Sequence, residues 1–292
     1  MTGGVIAGAD RYVEVNGLQI HYVEWPGGAD GGPAGEPVLL VHGLTASARS
    51  LAGIAETLAL TRGVVAPDLR GRGRSDKPRE GYSFAHHTAD LIALLDRLGI
   101  ARVALVGHSL GALIGVYLAA HHPERVTRLV LIDAGADGRP ELRAMLRSLV
   151  ERLDLVYPSL PLFLAGARQL PSFQPWTRHL ETALVDGLEV LPDGRVRPRT
   201  PRHVAEEEIA SQSRFRLRAL HGRIAAPTLI LRAVDGLAPG LPPVLTPGEA
   251  AAIARAIPDA RAEDIPANHY TIALNGRADV NARIATFLAT GA

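Results

Sequence analysis

Val103-Ala104-Leu105-Val106-Gly107-His108-Ser109-Leu110-Gly111, leading into Ala112-Leu113-Ile114-Gly115-Val116-Tyr117-Leu118, is the stretch that decides the fold. The first four residues are an apolar run without polar alternation, the mark of a strand covered on both faces. Leu110 to His121 reads as an apolar helix. Between them lies Gly-x-Ser-x-Gly, which is common by chance in isolation but specific in this setting. Its mechanics need a sharp strand-to-helix turn that presents the serine hydroxyl, with glycines that let neighbouring backbone approach. Ser109 then stands at a helix N-terminus, where N–H groups and the macrodipole favour a developing negative charge.

The same alternation continues outward. Val38–Val41, Val64–Ala66, Leu129–Ile132 and Thr228–Leu231 are further short apolar runs, and Ala48–Leu60 and Phe84–Leu98 are helical between them. In the second helix Leu91, Leu94, Leu95 and Leu98 recur at i, i+3, i+4 and i+7 and form one apolar face. This order predicts an α/β fold with a mostly parallel sheet flanked by helices. Tyr12–Val15 and Leu18–Trp25 read as a leading hairpin, and Pro26 to Pro37 as a mobile Gly/Pro-rich loop. After Asp133 the rhythm breaks. Residues 138–222 carry helical patches, several prolines (among them Pro158, Pro161, Pro171, Pro175, Pro198 and Pro201) and most of the large aromatics, and the βα rhythm resumes at Ala226. The expected organisation is one core domain, residues 1–137 and 223–292, with an inserted helical segment at 138–222.

A serine hydroxyl is a weak nucleophile at neutral pH and needs a base within hydrogen-bond reach. Of the histidines, the pairs His86-His87 and His121-His122 open and close helices and read as solvated ends. His269 lies in Ala267-Asn268-His269-Tyr270, after a strand at Arg261–Ile265 and before a helix at about 277–288, on the sheet edge that also presents Ser109. It is the candidate base. The acid that orients it is Asp235, which follows the strand Thr228–Leu231, or alternatively Asp133, which follows Leu129–Ile132; both keep the chain order Ser, Asp, His. Asp137 is a further carboxylate nearby. Charge developing on a substrate carbonyl needs preorganised donors, and the N–H groups of Leu44 and Leu110 are expected to supply them. His42, beside Gly43, holds that loop and is also a candidate for the substrate pocket with Thr45.

The 292-residue chain has 47% hydrophobic and 21% charged residues, a net charge of +1 and no cysteine. The absence of cysteine excludes disulfides, thiolate metal sites and cysteine nucleophiles, and suits a reducing compartment. No stretch spans a bilayer. The segment MTGGVIAGADRYVEV lacks the features of a secretory signal, so a cytoplasmic location is expected. Acids and bases are interspersed, which leaves no footprint for nucleic acid, and Gly71-Arg72-Gly73-Arg74 reads as a turn. Lys77 is the single lysine, against a Schiff-base mechanism.

His42-Gly43-Leu44-Thr45, the run DLRGRGRSDKP at 68–78, GHSLG at 107–111, HPERVTRLVLIDAG at 122–135 and ANHYT at 267–271 together resemble the α/β-hydrolase superfamily, over nearly the whole chain except the insert. The resemblance implies an eight-stranded sheet, a helical cap inserted after the sixth strand, and neither metal nor organic cofactor. Relatives that open epoxides or displace halide carry aspartate at the elbow, so Ser109 points instead to acyl transfer to water: a serine hydrolase for an ester or lactone of a small apolar molecule. C–C bond hydrolysis, acyl transfer or perhydrolysis on the same triad are the alternatives, and a small-molecule receptor with little turnover is the reading of another class. In this family a glycine followed by aspartate three residues on is usual after the seventh strand; here Ala233 is followed by Gly236, with Asp235 one position early. In the cap, Tyr157, Phe163, Phe173, Trp176 and Phe215 are expected to line an apolar pocket, with Arg178, Arg214 and Arg216 as candidates for a substrate carboxylate. The partner expected is a small molecule, with no nucleic acid or membrane. A homo-oligomer is compatible with the sequence.

Overall fold

The computed structural model describes residues 7–28 and 35–291. In chain order the strands are β1 (Ala9–Val15), β2 (Leu18–Trp25), β3 (Gly35–Val41), β4 (Arg62–Pro67), β5 (Val103–His108), β6 (Val126–Ile132), β7 (Leu188–Val190), β8 (Val196–Pro198), β9 (Thr228–Ala233) and β10 (Ala260–Ile265). Eight of them form one sheet in the order β1-β2-β4-β3-β5-β6-β9-β10. From β4 to β10 every neighbouring pair is parallel, and β2 runs antiparallel to both β1 and β4. Asn16 and Gly17 join β1 to β2 with φ of 51° and 75°, the left-handed pair that a two-residue type I′ hairpin requires. β3 starts at Gly35, so the last residues of the expected loop join the sheet; residues 29–34 of that loop and the first six of the chain lie outside the described residues.

The helices are α1 (Ala52–Leu58), α2 (Phe84–Arg97), α3 (Leu110–His121), α4 (Pro140–Glu151), α5 (Leu160–Ala167), α6 (Arg178–Asp186), α7 (Arg202–Gln212), α8 (Pro247–Ala256), α9 (Thr271–Leu274) and α10 (Ala278–Thr290). Successive strand residues point to opposite faces, and both faces are buried here. Leu39, Val41, Leu105, Leu129 and Leu131 pack with Leu94 of α2 and Ile114 of α3 on one side. Val38, Leu40, Val106, Val130 and Leu229 pack with Ile54 of α1 and Phe287 of α10 on the other. This double cover explains the unbroken apolar runs of the central strands. No helix among the described residues is long and apolar enough to cross a membrane.

Helices α4 to α7 lie between β6 and β9, together with the β7–β8 hairpin, whose three-residue strands give no readable alternation in the sequence. Acids of this insert hold it to the loops at the sheet's C-terminal edge. Asp186, at the end of α6, accepts from Ser47 (2.7 Å) and Arg74 (3.1 Å), and Glu207 of α7 accepts from the Gly81 and Tyr82 N–H groups (2.9 and 3.1 Å).

Candidate active site

Ser109 occupies the turn from β5 into α3 with φ 55° and ψ −117°, a region a side-chain-bearing residue enters at a cost of about 1–3 kcal/mol. The two glycines make the turn possible. A Cβ on Gly107 would stand 2.3 Å from the Gly111 carbonyl oxygen, and one on Gly111 would stand 2.0 Å from that of Val41. Helix α3 can therefore start directly against the end of β3, which brings Ser109 beside the loop of Leu44.

His269 Nε2 lies 3.1 Å from Ser109 Oγ, and its Nδ1–H donates to Asp133 Oδ2 at 2.7 Å. Asp133 is fully buried, and its other oxygen accepts from the Ala233 N–H at 3.0 Å. Burial pushes its carboxyl above the ordinary value, opposed by the hydrogen bond from His269. The arrangement is competent to take the hydroxyl proton on Nε2 and to stabilise the imidazolium through Asp133.

Asp235, the first choice for the acid, is not in this array: it is exposed, and its backbone N–H donates to the Ala267 carbonyl (3.0 Å). The reason is register. His108 pairs with Ile132, and Ile132 with Leu231, so Ser109 and Asp133 stand level at the strand ends. Asp235 is three residues beyond that level, about 10 Å at 3.3 Å per residue. Asp137 is turned to Arg218, 3.5 Å away. Asp133, like Ser109, has positive φ (51°), which turns it out of β6 immediately after the last strand residue.

The loop at Leu44 is fixed from both sides. His42 is fully buried; its Nε2 accepts from the Leu69 N–H (3.1 Å), which leaves Nδ1 to donate to the Gly43 carbonyl (2.8 Å). Burial lowers its pKa to about 4, so the ring is neutral. The Gly43 carbonyl belongs to the peptide whose N–H is that of Leu44, and the Ala46 N–H also donates to it (3.2 Å). On the following peptide, Arg72 Nε donates to the Leu44 carbonyl (3.0 Å). Leu44 and Leu110 both border the cavity above Ser109. His108, which the sequence did not single out, donates from Nε2 to the His269 carbonyl (2.9 Å) and steadies that loop; burial holds it well below its usual pKa, and so neutral.

Arg72 lies in the Gly-Arg-Gly-Arg turn, yet it is fully buried. It donates to Glu208 of α7 (3.1 Å), which also accepts from His87 Nε2 (2.6 Å). His87 is therefore not a solvated helix end but part of a buried three-residue cluster. For Glu208, burial raises the pKa, but His87 and Arg72 outweigh it and hold the carboxyl below its usual value. The cluster ties the insert to the carbonyl of Leu44.

A cavity of about 570 Å³ lies over Ser109 and His269, between the sheet edge and helices α4 to α7. Thr45, Tyr157, Phe163, Phe173 and Phe215 line it as expected, with leucines of α4. Two expected lining residues do not: His42 is sealed beneath the loop it holds, and Trp176 faces away, where its Nε1 donates to Glu181 (2.8 Å) under the Arg168 guanidinium. Nor do Arg178, Arg214 or Arg216 line it; Arg178 is exposed and pairs with Glu56 (3.2 Å), and the cavity's arginines are Arg143 and Arg152. Among the described residues no group of three or more His, Asp or Glu side chains is placed to hold a metal ion.

A family model described as alpha/beta hydrolase fold matches residues 36–275. An uncharacterized protein of Mycobacterium tuberculosis is 43% identical over 107 residues, 37% of this chain and 30% of that protein. The cis-3-alkyl-4-alkyloxetan-2-one decarboxylase of Shewanella oneidensis is 34% identical over 139 residues, 46% of this chain and 42% of the relative. The chain thus spans less than half the length of these curated relatives. Among solved structures, E-2-(acetamidomethylene)succinate hydrolase superposes with a TM-score of 0.81 at 24% identity, over 97% of this chain and 100% of that one, a likeness of fold.

Proposed function

We propose that this chain, which belongs to the α/β-hydrolase fold family, is a hydrolase that works by a serine-hydrolase reaction. In this reading Ser109 Oγ attacks an acyl carbon, His269 Nε2 takes its proton, and Asp133 holds the imidazole in the required tautomer. The N–H groups of Leu44 and Leu110 receive the oxyanion. His269 returns the proton to the leaving group, and water activated by the same ring releases the acyl group from Ser109. The observation that carries the proposal is the continuous contact from Ser109 Oγ to His269 (3.1 Å) and on to Asp133 (2.7 Å). The cavity supports a carboxylic ester or lactone with an apolar body as substrate. A relative named for a dialkyl oxetan-2-one, a small lactone with two apolar arms, supports the same class. A small diffusible substrate and a cytoplasmic location belong to this proposal.

Turnover of p-nitrophenyl esters of increasing acyl length, by the intact protein and by Ser109→Ala, tests it. Turnover that rises with chain length to a limit and vanishes in the variant is expected. A single stoichiometric burst without turnover would replace the enzyme with a receptor, and product transfer to added alcohol or peroxide would mark an acyltransferase or perhydrolase.

A further inference from the structure

The cavity over Ser109 holds positive charge that its own wall leaves unneutralised. Two carboxylates and two guanidiniums line it: Asp137, Glu249, Arg143 and Arg152. Both carboxylates are engaged. Asp137 faces Arg218 (3.5 Å), and Glu249 pairs with Arg139 (3.0 Å) while it accepts from the Thr246 N–H and hydroxyl (2.8 Å each) at the start of α8. The guanidiniums are not. Arg143 donates to the Gly138 carbonyl (2.8 Å), and the Arg152 side chain, among the described residues, meets no acceptor.

Their setting is specific. Leu142, Leu146 and Leu149 of α4 make an apolar ridge on the cavity wall, and the two arginines flank that ridge. The charge of Arg152 reaches the ring of Tyr270, next to His269, where it opposes the rise in pKa that burial imposes. Among the described residues the Tyr270 hydroxyl also has no partner, and Tyr270 lines the same cavity. Arg143 further borders an adjoining cleft between α4 and α7 with Arg147, Arg202 and Arg216; of the acids there, Glu206 is taken by Arg202 (2.7 Å) and Glu151 is exposed. Four arginines against two glutamates give that cleft a net positive charge, which raises the local concentration of anions.

We propose that Arg143 and Arg152 form an anion subsite of the reaction cavity, so that the substrate is an ester or lactone whose apolar body carries a carboxylate away from the reacting carbon. This rests on the serine-hydrolase reading of the cavity. A planar guanidinium suits a carboxylate better than a point charge does. Arg143 is half-buried and Arg152 is at the rim, so the preference is salt-sensitive.

The test compares kcat/KM for p-nitrophenyl hexanoate with that for mono-p-nitrophenyl adipate, matched in chain length. A second arm compares phenyl hexanoate with 3-carboxyphenyl hexanoate, which places the carboxylate on the alcohol side. One arm is expected to favour the anion by about tenfold, chiefly through KM, an interaction of the size of one tenfold step in binding. Added salt lowers the ratio, Arg152→Lys keeps part of it, and Arg143→Gln/Arg152→Gln brings it near one. Arg195→Gln, on an exposed cap arginine paired with Asp193 (2.7 Å), keeps the wild-type ratio. No anion preference in either arm, or a preference that survives the double substitution, overturns the proposal. Calorimetry on Ser109→Ala separates this from failure of the catalytic reading: in one of two pairs, adipate monoamide against hexanamide or N-(3-carboxyphenyl)hexanamide against N-phenylhexanamide, the anion should bind more tightly, and Arg143→Gln/Arg152→Gln in that background should abolish the difference. Equal binding within both pairs would also overturn the proposal.

Discussion

Replacing Glu208 with leucine isolates the buried charge cluster beneath the cap. The substitution removes the carboxylate that accepts from Arg72 (3.1 Å) and His87 (2.6 Å), all three side chains being fully buried. Arg72 would keep the Leu44 and Arg70 carbonyls (3.0 and 3.1 Å) but lose its counter-charge. Breaking a buried pair on one side costs about 3–5 kcal/mol, because the surviving charge stays desolvated. With an unfolding entropy of about 2.1 cal/mol/K per residue, 292 residues give about 0.6 kcal/mol/K, so Tm should fall by about 5–8 °C. Arg72→Leu/Glu208→Leu removes the orphaned charge as well and should be more stable than the single variant by about 1 kcal/mol or more. Scanning calorimetry on the two variants reads this directly. A single variant within about 1 kcal/mol of wild type, or a double variant less stable than the single one, would refute the view that Arg72 remains charged and dependent on Glu208.

Asp133→Asn should lower kcat by about 10⁴-fold, as expected when the imidazole is held in the wrong tautomer, while Asp235→Asn stays near wild type; steady-state kinetics on one ester compares them. His42 titrates at about 4 when folded, below its ordinary 6.5, so the unfolded chain takes up the proton first. Its contribution is intact above about pH 6.5 and is lost as pH falls towards 4, amounting to about 2 kcal/mol by pH 5. Urea midpoints at pH 7.5 and 5 should show this loss together with that of His108, which burial shifts in the same direction, and His42→Gln should remove about 2 kcal/mol of it. Gly111→Ala would drive a Cβ to 2.0 Å from the Val41 carbonyl oxygen, so α3 must shift; lost turnover with altered near-UV dichroism is the expected result.

The elbow was legible because its whole demand is local: a strand, two glycines, a serine and a helix, all within residues 103–121. The parallel sheet was legible for a related reason, since a strand buried on both faces cannot alternate. The acid was not, because the choice between Asp133 and Asp235 depends on how far β9 extends past β6, and register between strands about a hundred residues apart leaves no local trace. Arg72 and His87 carried a misleading local signal, a polar turn and a helix start, and their true partner Glu208 lies 136 and 121 residues away. Cap aromatics were sorted only in part for the same reason. Phe163 and Phe215 face the cavity and Trp176 does not, a division set by how short helices pack rather than by their composition.

Mass spectrometry of the intact protein after treatment with a fluorophosphonate tests the central claim most directly, followed by peptide mapping and repeated on Ser109→Ala. One adduct, carried by Ser109 and absent from the variant, is the result predicted if the contact with His269 makes that hydroxyl a nucleophile. No adduct on Ser109, or equal labelling of Ser109→Ala, would contradict it.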